Sequence, residues 1–104
     1  MIEIKIPNKL EVGGHKYQVK YIVNLARAEN RWGACNWLKQ KVELEPEATQ
    51  ENLSQSFLHE VIHLIDRHYN NASLDERTVD VLAEGFQQVF HQLGIRIVKR
   101  IGGG

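Results

Sequence analysis

The run from Gln55 to His68, QSFLHEVIHLIDRH, constrains this chain more than any other stretch. His59 and His63 stand four apart, so on a helix they lie one turn apart on one face, where both imidazoles can reach a single ion. Counting about 100° per residue from His59, the positions His63, Asp66 and Asn70 stay within about 40° of it. Phe57, Leu58, Val61, Ile62, Leu64, Ile65 and Tyr69 fill the opposite arc. A helix from Gln50 to Tyr69 thus has an apolar back to bury and a polar stripe to present. Thr49 suits its N-cap, Glu51 suits its positive end, and Asn70-Asn71 breaks it. Glu60, between the two histidines, is placed to hold the water of a metal ion, and His-Glu-x-x-His in this setting is the pattern of a hydrolytic zinc site. The plainer use of the same pattern is an amphipathic helix with two solvated histidines.

Such a helix needs a sheet or a second helix to lie on, and the flanking sequence offers both. Ile2, Ile4 and Ile6 alternate with Glu3 and Lys5, the period of a half-buried strand, stopped by Pro7-Asn8. Gly13-Gly14 makes a turn, and Tyr17, Val19, Tyr21 and Val23 alternate in a second strand, whose partner is either the first strand or the short Lys9–Val12 piece. Residues 24–30 read as a helical turn or a loop. Arg31 to Trp37 and Val42 to Leu44 form two strands joined by a tight polar connection. Gly33 within the first of them marks a bulge or a place where another backbone comes close. In a peptidase that backbone would be the substrate's, adding to the sheet edge along Gly33, Ala34 and Cys35. Trp32 and Trp37 equally suit packing the sheet onto the helices, and Cys35 suits a small core position. A second helix from Ser73 places Val79, Leu82, Phe86, Val89, Phe90 and Leu93 at helical spacing up to Gly94. The short connection makes the two helices antiparallel neighbours. Residues 95–101 are a last strand or a tail. The expectation is an α+β fold in one domain of 104 residues: a small, mainly antiparallel sheet of three to five strands over 1–45, the histidine helix over 50–70, a second helix over 73–93 and a tail over 95–104.

Charge narrows the function. Thirteen basic and thirteen acidic residues balance, which argues against attraction to nucleic acid or an anionic membrane, although Arg96, Lys99 and Arg100 cluster near the end. No apolar run approaches a membrane span, and the N-terminal alternation is unlike a signal-peptide core. Cys35 is the single cysteine, which suits a reducing compartment, so a cytoplasmic location is expected.

A hydrolytic zinc takes three protein ligands and one open position. His68 lies about 180° from His59 around the helix and points away. Glu76 and Asp80, four apart at the edge of the second helix's apolar stripe, face the first helix. Glu76 is the expected third ligand, and Asp80 would accept a hydrogen bond from the outer nitrogen of a ligand histidine. Ser73-Leu-Asp-Glu76 is also a capping box, in which Glu76 would turn back to the Ser73 amide; Asp80 is then the next candidate ligand. Glu84 lies about 80° round the helix from Glu76. His15 and His91 have no motif around them.

His59-Glu60-x-x-His63 followed by Glu76-x-x-x-Asp80 resembles the gluzincin metallopeptidases, and the short length resembles the minigluzincins and small phage-encoded metallopeptidase-like proteins. Arg31-Trp32-Gly33-Ala34-Cys35, the strand Val42–Leu44 and the stretch Leu58–Leu64 are similar to the SprT-like metal-dependent hydrolases. Ala34 stands where the SprT-like pattern usually has Ser, and those relatives use a third His instead of an acid. The spacer of twelve residues between His63 and Glu76 is shorter than in large gluzincins, and Tyr69 occupies the place of the third metzincin histidine. The resemblance implies a zinc peptidase acting on an extended protein or peptide segment, with Zn2+ on His59, His63 and Glu76 and with Glu60 as the general base. A non-catalytic zinc-bearing interaction module and a nucleic-acid-associated protein of the SprT-like kind are the alternatives.

Overall fold

The computed structural model describes residues 1–25 and 33–99. Arg31, Trp32, most of the helix-or-loop segment and residues 100–104 lie outside the described residues. The fold is α+β: five strands, then two packed helices, then a sixth strand. In order these are β1 (Ile2–Lys5), β2 (Lys9–Val12), β3 (His15–Tyr21), β4 (Gly33–Asn36), β5 (Lys41–Leu44), α1 (Gln50–Tyr69), α2 (Glu76–Gln92) and β6 (Ile95–Val98).

The main sheet runs β2-β3-β5-β4. β2 and β3 form a hairpin through Gly13 and Gly14, at φ 60° and 79°. Two consecutive positive φ angles give the turn whose twist matches paired strands. The partner of β3 is thus the Lys9–Val12 piece. β4 and β5 are antiparallel, while β3 and β5 run parallel with Val19 opposite Val42. The register from Gly33 opposite Leu44 to Asn36 opposite Lys41 is continuous, so Gly33 makes no bulge. What approaches it is side chain: a Cβ there would lie 3.3 Å from Leu44 Cδ2 and 3.4 Å from Glu60 Oε2.

β6 pairs in parallel with β1, Ile2 opposite Ile95. This ribbon corrects the expected half-buried first strand. Ile6 is buried, but Ile2 and Ile4 are exposed, because β1 joins β6 rather than the main sheet. Val23 is exposed for a similar reason, since β3 ends at Tyr21.

Helix α1 packs on two sides. Leu53, Phe57 and Leu64 meet Ile6, Tyr17, Val19, Val42 and Leu44 in one cluster. Leu58 and Ile62 meet Val79 and Ala83 of α2 in another. On the helical wheel these contacts lie roughly 140° to one side of His59 and 80° to the other, so His59 and His63 fall in the gap between sheet and α2. Two parts of the expected core differ. Ile65 and Tyr69 are exposed because they lie past Ile62, the last buried contact with α2. Leu82, Phe86, Val89 and Leu93 are also exposed: α2 meets α1 through Val79 and Ala83, about a quarter turn away from that stripe.

Candidate metal centre

Both ends of α1 are built as its sequence dictates. Thr49 caps the start, its Oγ1 accepting from the Asn52 amide at 3.2 Å, and the helix stops at Asn70. The turn to α2 then passes through Asn71 and Ala72, both left-handed at φ 55° and 52°. Buried Asp66 holds that turn. Its Oδ1 accepts from Asn70 Nδ2 at 2.9 Å and from the Ser73 amide at 3.1 Å, and its Oδ2 from the Leu74 amide at 3.2 Å.

This arrangement decides between the two readings of Glu76. The N-cap of α2 is Asp75, not Ser73: Asp75 Oδ1 accepts from the Thr78 amide at 2.7 Å, and these bonds hold its carboxyl below the ordinary value. The helix therefore begins at Glu76 rather than Ser73, and the Ser73 amide is already taken by Asp66. Glu76 makes no capping box and turns toward α1.

There its carboxylate meets both histidines. Glu76 Oε1 lies 2.6 Å from His59 Nε2 and Oε2 lies 3.1 Å from His63 Nε2, while the two Nε2 atoms are 3.0 Å apart. His59, His63 and Glu76 each offer one ligand atom within 4.8 Å of the others, a possible metal-binding triad spanning two helices. Donors around a tetrahedral zinc, at about 2.0–2.2 Å from the ion, sit about 3.3 Å from one another, so the set fits with small adjustment. The two rings cross at 69°, which lets their in-plane lone pairs converge. Behind them, His59 Nδ1 donates to Asp80 Oδ1 at 2.8 Å, the position expected for Asp80. That bond fixes the tautomer that turns Nε2 toward the triad. Burial acts to raise the Glu76 carboxyl, but the hydrogen bonds and charge of His63 and His59 outweigh it and hold the group below its ordinary value.

Glu60 sits about 100° round the helix from His59, turned toward β4. It is buried, and burial pushes its carboxyl above the ordinary 4.5, against the opposing pull of His59, a hydrogen bond from the Cys35 thiol, and His63. A carboxylate raised toward the working pH is the better proton acceptor.

A cleft of about 610 Å³ opens over these groups, with Gly33, Cys35 and Trp37 on one wall and His59, Glu60, His63, Glu76 and Asp80 on the other. Of the three residues expected to meet substrate, Gly33 and Cys35 line it; Ala34 is buried and is not part of its wall, as strand alternation requires. Among the described residues β4 is an edge strand. Glu84 accepts from Gln55 at 3.4 Å and takes no part in the triad. His68 points away as its wheel position requires, bonding Tyr17 Oη and stacking on His15.

Sequence reasoning left three contributors without their roles. Asp66 belonged to the polar arc, but its bonds to amides seven and eight residues on are tertiary. The Cys35 thiol reaches Glu60 across two elements. Arg67 lies over the Trp37 ring, 3.6 Å from its centre.

No family model matches the chain, and neither the curated proteins nor the solved structures yield a significant match. Among the described residues no helix is long and apolar enough to cross a membrane.

Proposed function

We propose that this chain is a zinc-dependent peptidase of the gluzincin type, hydrolysing peptide bonds in an extended segment of a protein substrate. The observation that carries the reading is the position of Glu60: a buried carboxylate beside a His-His-Glu triad, on the wall of a cleft bordered by β4, the edge strand among the described residues. A zinc ion on His59, His63 and Glu76 would supply Lewis acidity to the attacking water and the scissile carbonyl. The chain's own residues account for the rest. β4, at the sheet edge among the described residues, would align an extended peptide along the cleft. Glu60 takes a proton as the water oxygen joins the carbonyl carbon, then delivers that proton to the amine nitrogen as the C–N bond breaks. Gly33 leaves room beside Glu60, and the Cys35 thiol orients the carboxylate. Asp80 keeps His59 in its productive tautomer throughout.

The test pairs metal content with cleavage of an unstructured protein such as casein. Wild type should hold about one zinc and cut; Glu60→Gln should hold the same zinc and lose at least a hundredfold in rate. Equal cleavage by the two proteins, or none by either across a broad peptide library, would refute the peptidase reading.

A further inference from the structure

The cleft contains one feature the hydrolytic machinery does not use. Arg67 lies one turn beyond His63 on the same helix, its Cα about 6 Å further along the axis. It is the only Lys or Arg among the described residues that line the cleft; the other charged side chains there are Glu60, Asp66, Glu76 and Asp80. Those four are occupied: Glu60 by the Cys35 thiol, Asp66 by the turn amides, Glu76 and Asp80 by the histidines. Among the described residues Arg67 forms no ion pair with any of them. Its guanidinium is held over the half-exposed ring of Trp37, in the turn that follows β4. A guanidinium stacked in this way keeps its N–H edge, the part that pairs with a carboxylate in a two-pronged fork.

We propose that Arg67, held on the Trp37 ring, forms a carboxylate-binding subsite of this cleft and selects substrates that carry an anionic group beside the bond to be cut. The idea rests on the peptidase reading of the same cleft. Among the described residues that line the cleft, the other charged side chains are acidic and disfavour a carboxylate; Arg67 supplies a fixed positive side-chain charge, one turn from the proposed metal site, that attracts it. Two chemical sources fit: the side chain of Asp or Glu in an extended segment, and the free carboxylate of a chain's C-terminus.

Three malonyl-hydroxamate dipeptides separate these possibilities by calorimetric binding to the zinc-loaded protein: Leu-Gly-amide, Leu-Gly with a free carboxylate, and Glu-Gly-amide. The neutral Leu-Gly-amide reports the metal site alone. At least one anionic compound should bind wild type about tenfold or more tightly than the neutral one, and which of them does so identifies the source. Arg67→Gln should erase that advantage while leaving the neutral compound's affinity unchanged, which also shows that the variant is folded. Trp37→Ala should reduce the advantage by freeing the guanidinium. Equal binding of all three compounds to wild type, or an advantage that survives in Arg67→Gln, would overturn the subsite. Failure of the neutral compound to bind zinc-loaded wild type would strike the peptidase reading itself, and the subsite with it.

Discussion

Helix α1 carries its histidines in two groups that the fold treats in opposite ways. His59 and His63 cross at 69°, share the Glu76 carboxylate between their Nε2 atoms, and are backed by Asp80. His68, a turn and a half further on, stacks on His15 at 4.6 Å with the rings only 17° from parallel, and bonds the hydroxyl of Tyr17. Imidazole lone pairs lie in the ring plane, so crossed rings can aim at one point and stacked rings cannot. Nearness of two histidines is therefore not what makes a candidate ligand pair. Convergence does, together with a carboxylate to complete the set and another to fix the tautomer.

The contrast breaks most sharply at Glu76. Zinc titrated into metal-free Glu76→Ala should bind at least about a hundredfold more weakly than to wild type, whereas His68→Phe should bind it normally. Asp80→Ala should follow, with an affinity loss of about ten- to a hundredfold in the same calorimeter, since it leaves all three ligands but frees the His59 ring. On the other side of the helix, Gly13→Ala should leave zinc affinity intact and lower stability by about 2 kcal/mol in urea unfolding. A Cβ at Gly13 would fall 2.5 Å from that of His68, on a backbone already at φ 60°.

The smallest effect is on pH dependence. Burial first, then His15 and Arg67, hold His68 below its ordinary 6.5, and Tyr17 faces it from β3. The folded protein thus prefers the neutral ring: its contribution to stability is full above 6.5 and falls away as pH drops below 6.5 toward the lower folded value. His68→Gln should flatten the melting temperature against pH in that window, and a wild-type slope that persists in the variant would assign the titration elsewhere.

How much of this was legible in the sequence depends on how local each cause is. The bounds of α1, its Thr49 cap and the Gly13-Gly14 turn follow from signals within a few residues, and the sequence places them correctly; that the turn joins β2 to β3 is one of the two pairings the sequence leaves open. The β1–β6 pairing joins residues more than ninety apart, and no local pattern announces it. For α2, periodicity revealed an apolar stripe but not which side would meet α1. The contact is made through Val79 and the small Ala83, which a count of large apolar residues overlooks. Glu76 and Asp80 were legible from their shared face. The competition between cap and ligand was not, because both Ser73 and Asp75 can cap, and only the tertiary grip of Asp66 on the Ser73 amide decides it. Cys35 against Glu60 and Arg67 on Trp37 are contacts between elements, visible only once the sheet lies on the helix.

The ligand set itself is tested most directly by X-ray absorption at the zinc edge of the zinc-loaded protein. Two imidazoles and oxygen donors at about 2.0–2.2 Å are expected, unchanged in His68→Phe. A thiolate sulfur at about 2.3 Å, which only Cys35 could supply, or the loss of an imidazole in His68→Phe, would contradict the triad of His59, His63 and Glu76.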